Sequence, residues 1–214
     1  MAAHPKADPT GRYIERKTDA GWVVDFGRLS TTGDAFLVVA EATQIGGSAK
    51  LQVKTFESMQ KDTGWNLSAA RAIEIASEDL GETDRPYNIA VLPAGVGGLY
   101  VYIYPAQTDA AVYPLGGDVR YLISPGGTKI VEKRRLHKSI IETPPASSGE
   151  AAAGGYHVHV LSDLPEDTDV MFVLTRKPPM PEIILAGENP YAIDVHGVIT
   201  VRPHDPPTGR ASIQ

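Results

Sequence analysis

The chain consists of short strand-like runs cut repeatedly by turn residues, and no other feature limits its folding as strongly. Segments 21–29, 35–44, 50–56, 87–93, 98–106, 110–115, 118–124, 128–142, 156–162, 170–176, 182–187 and 197–202 are rich in Val, Ile, Leu, Tyr and Phe. Gly, Pro, Asn and Asp separate them. Such runs, bounded in this way, read as β-strands. In 98–106, Leu99, Val101 and Ile103 alternate with Tyr100, Tyr102 and Tyr104, so both faces of that strand suit cover. "PAGVGGLY", "YPLGGD" and "SPGGT" read as hairpin turns. None precedes a helix or has GxGxxG spacing, so none presents a helix N-terminus to a phosphate.

One stretch breaks the pattern. "NLSAARAIEIASEDLG" puts Ala69, Ile73, Ala76 and Leu80 on one stripe, the spacing of an amphipathic helix over 66–81 that buries Ile73 and Leu80. Asn66 or Ser68 can cap its start and Gly81 its end, with Arg71 and Glu74 facing outward as a weak pair.

Composition removes whole classes of chemistry. There is no cysteine, which excludes disulfides, thiolate zinc sites and cysteine nucleophiles. No GxSxG elbow is present. The formal net charge is −6, and the one basic cluster, "EKRRLHK", reads as the solvated face of a strand, so no nucleic-acid partner is expected. No apolar run approaches the ~20 residues needed to span a bilayer. No signal peptide is visible, which makes a soluble, cytoplasmic protein the default expectation.

The chemistry is concentrated in histidine. His157 and His159 flank one residue of the run 156–162, and the two-residue period of a strand points both rings to one face, roughly 7 Å apart. If strand 128–142 pairs antiparallel with it so that Ile141 faces Gly155, then His137 faces His159 and three imidazoles converge. A slip of one residue would send His137 to the other face. Otherwise the histidines are ordinary strand residues and "VEKRRLHKSIIE" is an edge strand blunted by charge. His196, in the turn-like "DVHGV", is expected outside the site, and His4 and His204 lie near the ends.

HxH on one strand with a third His on its neighbour resembles the zinc site of carbonic anhydrases and the metal sites of cupins, in geometry alone. A second comparison is the JAMM metalloprotease pattern, HxH followed by a distant Asp. The candidate here is Asp169, but nine residues rather than ten separate it from His159, Val160 stands where Pro is expected, and Glu166 where Ser is expected. The acidic stretch "LPEDTDV" reads instead as a loop whose carboxylates cap or turn the chain, because it departs from the EF-hand pattern.

These observations predict a mainly β fold, an antiparallel sandwich or barrel-like arrangement with one helix near 66–81, α+β being the alternative. A single domain over 1–214 with disordered ends is expected, with a possible division into an α+β portion at 13–125 and a histidine-bearing β portion at 126–203. Segment 143–155 is expected to be a mobile loop joining two paired strands. The functional expectation is a divalent transition-metal site of His137, His157 and His159, zinc first, serving a metal-dependent hydrolase. Its substrate would be a small molecule or peptide, Asp163 a weak candidate for a general base, and homo-oligomers are possible. The competing expectation is a non-catalytic β-rich binding or assembly module without metal, with the Tyr-rich strand 98–106 as its contact face.

Overall fold

A computed structural model describes residues 11–95, 97–143 and 154–202. In chain order the strands are β1 (Arg12–Thr18), β2 (Gly21–Leu29), β3 (Phe36–Gln44) and β4 (Leu51–Asp62), followed by helix α1 (Trp65–Leu80). Next come β5 (Tyr87–Pro93), β6 (Leu99–Pro105), β7 (Tyr113–Gly116), β8 (Val119–Ile123), β9 (Ile130–Arg135) and β10 (Ile140–Thr143). The chain continues with β11 (Gly155–Val158), helix α2 (Asp167–Thr175), β12 (Glu182–Ala186), β13 (Asn189–Ile193) and β14 (Ile199–Val201). The mainly β expectation holds, and among the described residues the sheets are open, with no closed barrel. The chain divides into two compact units, one of residues 1–84, 88–103 and 120–134, the other of 85–87, 104–119 and 135–214.

In the first unit, β1-β2-β3-β4 form an antiparallel meander. Alternation in β2 buries Val23 and Asp25 while Trp22 and Phe26 are exposed. α1 buries Leu67, Ala69, Ala70, Ile73 and Ala76, and Leu80 is half-buried. Gly81 ends the helix as expected, its N–H bonded to the Ser77 carbonyl. The start differs from expectation. Gly64 is the N-cap, and Asn66 is buried inside the first turn, donating to the Asp25 carboxylate at 2.7 Å. Arg71 donates to the Gly33 carbonyl, and Glu74 pairs at 3.8 Å with Arg12. The remaining sheet has the order β5-β6-β8-β9. The glycine-rich turns after β5 and β8 close by backbone hydrogen bonds within each turn, as hairpins should.

The second unit carries all three candidate histidines. β7 pairs antiparallel with β10, and a four-stranded sheet has the order β11-β12-β13-β14. Here β12, β13 and β14 are antiparallel neighbours, while β11 runs parallel to β12. A parallel pair needs a crossover, and α2 supplies it. The core is Val173 from α2 with Ile184, Ala186, Tyr191 and Ile193 from β12 and β13, and Val170 packs against it. Burial of side chains of this size contributes about 1.5–3 kcal/mol each, which holds α2 on the sheet.

Four expectations are corrected. The run 170–176 is helical through Thr175, with Arg176 as the C-cap, and is not a strand. A short apolar run of this length suits either state, and the Glu166–Asp169 capping box with acidic residues in the first turn decides for helix. Segment 128–142 is two strands, β9 and β10, separated by a bend that holds His137. β10 pairs with β7 and not with β11, so the proposed register of Ile141 on Gly155 does not exist. The turn at Gly116 and Gly117 links strands of two different sheets instead of closing a hairpin. Residues 144–153, most of the expected mobile loop, lie outside the described residues, as do both expected disordered ends.

Candidate metal centre

β11 has an inverted pattern. Tyr156 and Val158, and Val160 just beyond its end, are 62%, 50% and 68% exposed, whereas His157 and His159 are buried. An isolated strand would turn its valines inward and leave its imidazoles in water. Buried polar groups need partners, so the alternation reports a polar centre under the sheet. Two more elements complete it. The bend after β9 supplies His137, held by the Leu136 N–H bonding the Asp118 carbonyl at 3.1 Å. The first turn of α2 supplies Asp169, which is wholly buried.

His137, His157, His159 and Asp169 form a buried group that could hold a metal ion, each presenting one ligand atom. His137 Nε2 lies 3.0 Å from His159 Nε2, and His157 Nε2 lies 3.2 Å from the same atom. Asp169 Oδ1 is 3.1 Å from the Nε2 atoms of His137 and His157, and its Oδ2 is 3.1 Å from His159 Nε2. These separations of 3.0–3.2 Å are short enough for all four groups to ligate one ion at zinc–nitrogen and zinc–oxygen distances of about 2.0–2.2 Å.

The opposite nitrogen of every ring is committed. His137 Nδ1 is 2.7 Å from Asp118 Oδ1, His157 Nδ1 is 3.1 Å from Glu182 Oε1, and His159 Nδ1 is 3.0 Å from the Leu164 carbonyl. A carbonyl or carboxylate only accepts, so each Nδ1 carries the hydrogen, and the Nε2 atoms are left to face the centre. Glu182 is itself buried and pairs at 3.1 Å with Arg176, whose guanidinium also donates to the Met180 carbonyl. Asp169 Oδ2 accepts the Glu166 N–H at 2.6 Å, so the capping box that starts α2 also orients the carboxylate. Hydrogen-bonded imidazoles backed by carboxylates and a carbonyl are the usual support of metal ligands.

Two glycines are required by this packing. A side chain at Gly155 would collide with the Glu182 carboxylate. Gly116 has φ +84°, and a side chain there would press on the Ser139 carbonyl and on His137 Cβ at 3.0 Å.

The electrostatics favour positive charge at the centre. Burial alone would lower the pKa of His137, but Asp118 and Asp169 raise it to about 10. His157 is raised likewise, against burial, by Asp169 and Glu182. Burial would raise the pKa of Asp169, but the three histidines hold it well below the usual carboxylate range.

The histidines open onto a cavity of about 240 Å³. Leu115, Leu136 and Ile141 line one part, Val158, Val160 and Leu161 another, and no carboxylate is among the described lining residues. Asp163 is exposed and lies outside that lining. His196 sits in the turn between β13 and β14, away from the four-residue group. Asp169 had a sequence signal in its distance from the HxH pair, but its spacing matched no metal pattern.

No protein-family model matches this chain, and neither the curated proteins nor the solved structures contain a match to it. Among the described residues no helix is long and apolar enough to cross a membrane.

Proposed function

We propose that the second unit binds a divalent transition-metal ion, zinc, through His137, His157, His159 and Asp169, and that the ion serves a hydrolase. One observation carries the metal reading. With the three rings neutral, all four atoms that converge on the centre are hydrogen-bond acceptors. Atoms packed at this distance need positive charge among them, supplied in the metal-free protein by protons on His137 and His157, whose pKa values are raised, and by a metal ion once it displaces those protons. Three imidazole nitrogens and one carboxylate suit zinc.

The cavity supports the hydrolase reading. Asp169 closes the buried side, and the three rings border open space where a water could complete the coordination. A zinc ion held by His137, His157, His159 and Asp169 would supply a Lewis acid able to lower the pKa of a bound water towards 7 and to polarise a carbonyl. With no carboxylate in the described lining, the proton released during attack passes to solvent or to the leaving group. A second reading, a purely structural zinc, is favoured by the presence of four protein donors, the number a closed site takes.

The test has two stages. Full-length protein dialysed against limiting zinc should retain one equivalent by elemental analysis, and none after His157→Ala. The cobalt-loaded protein should then change its visible spectrum on addition of acetohydroxamate, which needs an open coordination position. Absence of stoichiometric metal removes the whole reading. A cobalt spectrum unmoved by acetohydroxamate assigns the ion a structural role.

A further inference from the structure

We propose that the substrate is an extended polypeptide segment, which adds as a strand to the open edge of β11 and lays an amide bond over the metal centre. This rests on the hydrolase reading above. Among the described residues β11 has one neighbour, β12. The N–H groups of Gly155 and His159 bond the Pro181 and Leu185 carbonyls at 2.9 and 2.8 Å, so odd-numbered residues face β12. The N–H and C=O groups of Tyr156 and Val158 therefore point the other way, and among the described residues they have no backbone partner. An open row of this kind is a template for another strand.

The shape of the cavity agrees. Residues His157 through Leu161 line it consecutively. β11 ends at Val158, so the cavity follows the last two residues of the strand and continues along the bend at His159, Val160 and Leu161. Ser139 and Ile141 border the same space from the β10 side. A strand entering there would find apolar side chains for its alternate residues and the three imidazoles beside its main chain. Lys138 lines the cavity, is exposed, and has no ion-pair partner among the described residues, so an acidic residue or chain terminus in the occupant complements it.

The reaction balances with water alone. The water oxygen bonds to the amide carbon, the C–N bond breaks, and the carbon side leaves as a carboxylate. The nitrogen side takes up the released protons as an amine in its ammonium form.

Zinc-loaded full-length protein should be screened against a positional-scanning library of quenched-fluorescent peptides, with binding of the best sequence measured separately by fluorescence polarisation. Cleavage should favour apolar residues flanked by Asp or Glu. N-methylation of the peptide at the pairing positions should weaken binding three- to tenfold, the loss of a main-chain hydrogen bond. Val158→Pro, which removes an N–H directed away from β12, should weaken binding similarly while zinc content and melting temperature stay as in the parent. Lys138→Glu should reverse the preference for acidic residues. Zinc-loaded protein that neither binds nor cleaves any library peptide, or that binds N-methylated peptides as well as the parent ones, overturns the proposal and leaves the metal site standing. Loss of stoichiometric zinc with peptide binding intact would instead sink the hydrolase reading and keep the strand-pairing edge.

Discussion

Replacing Asp118 by Asn probes the centre without touching an atom that faces the ion. Asp118 is buried, and its Oδ1 lies 2.7 Å from His137 Nδ1. Asn keeps the shape, and its oxygen can still accept that hydrogen, but the negative charge is gone. Loss of such a supporting carboxylate lowers metal affinity by about 10–100-fold, or roughly 1.4–2.7 kcal/mol. In the presence of saturating zinc the same energy disappears from the folded state, since an ion that binds only the folded chain stabilises it in proportion to the logarithm of its affinity. At about 2–4 °C per kcal/mol for a chain of this size, zinc should raise the melting temperature by some 3–10 °C less than in the parent. Asp118 also favours a proton on His137, whose pKa stands at about 10 in the metal-free protein. The substitution therefore weakens proton competition too, so the affinity loss should be smaller at pH 7 than at pH 9. Competition titration against a chromophoric chelator at both pH values measures it, with circular dichroism as the check on folding. A folded variant whose affinity at pH 9 lies within twofold of the parent would refute the supporting role of Asp118.

Three further outcomes follow from the same geometry. Because His137 and His157 have raised pKa values in the metal-free protein, their contribution to stability is complete below about pH 6.5 and is lost as pH rises through the folded values. Zinc displaces those protons, so its affinity should climb at least tenfold per pH unit between 7 and 9 and collapse near pH 5; a flat profile in a chelator-buffered titration contradicts ligation by these rings. His159→Ala should abolish stoichiometric zinc while His196→Ala retains it, as elemental analysis of the two purified variants will show. Ile73→Asp places an unpaired charge in the buried face of α1 and should cost several kcal/mol in denaturant unfolding, whereas a midpoint equal to the parent's would mean that this face is not packed.

The amino-acid order alone determined what depends on local periodicity. Period-two runs between Gly and Pro marked most strands, and a 3.6-residue stripe marked α1, because each pattern constrains only neighbouring residues. It also determined that His157 and His159 share a face, since two residues along a strand always do. It was silent where two local states compete. The run 170–176 has strand composition, and the short capping signal at Glu166 and Asp169 made it helical. β13 went unseen because Pro190 argues against a strand with neighbours on both sides. Only the tertiary structure decided how His137 reaches the other two rings. The expected route was a ladder between β10 and β11, yet those strands lie in different sheets. The bend after β9, tied to Asp118, brings the ring in, and the crossover from β11 to β12 swings Asp169 beneath it. Contacts between residues 10 to 32 positions apart, such as those of His137 with Asp118 and Asp169, follow from chain topology, and topology leaves no period in the sequence to read.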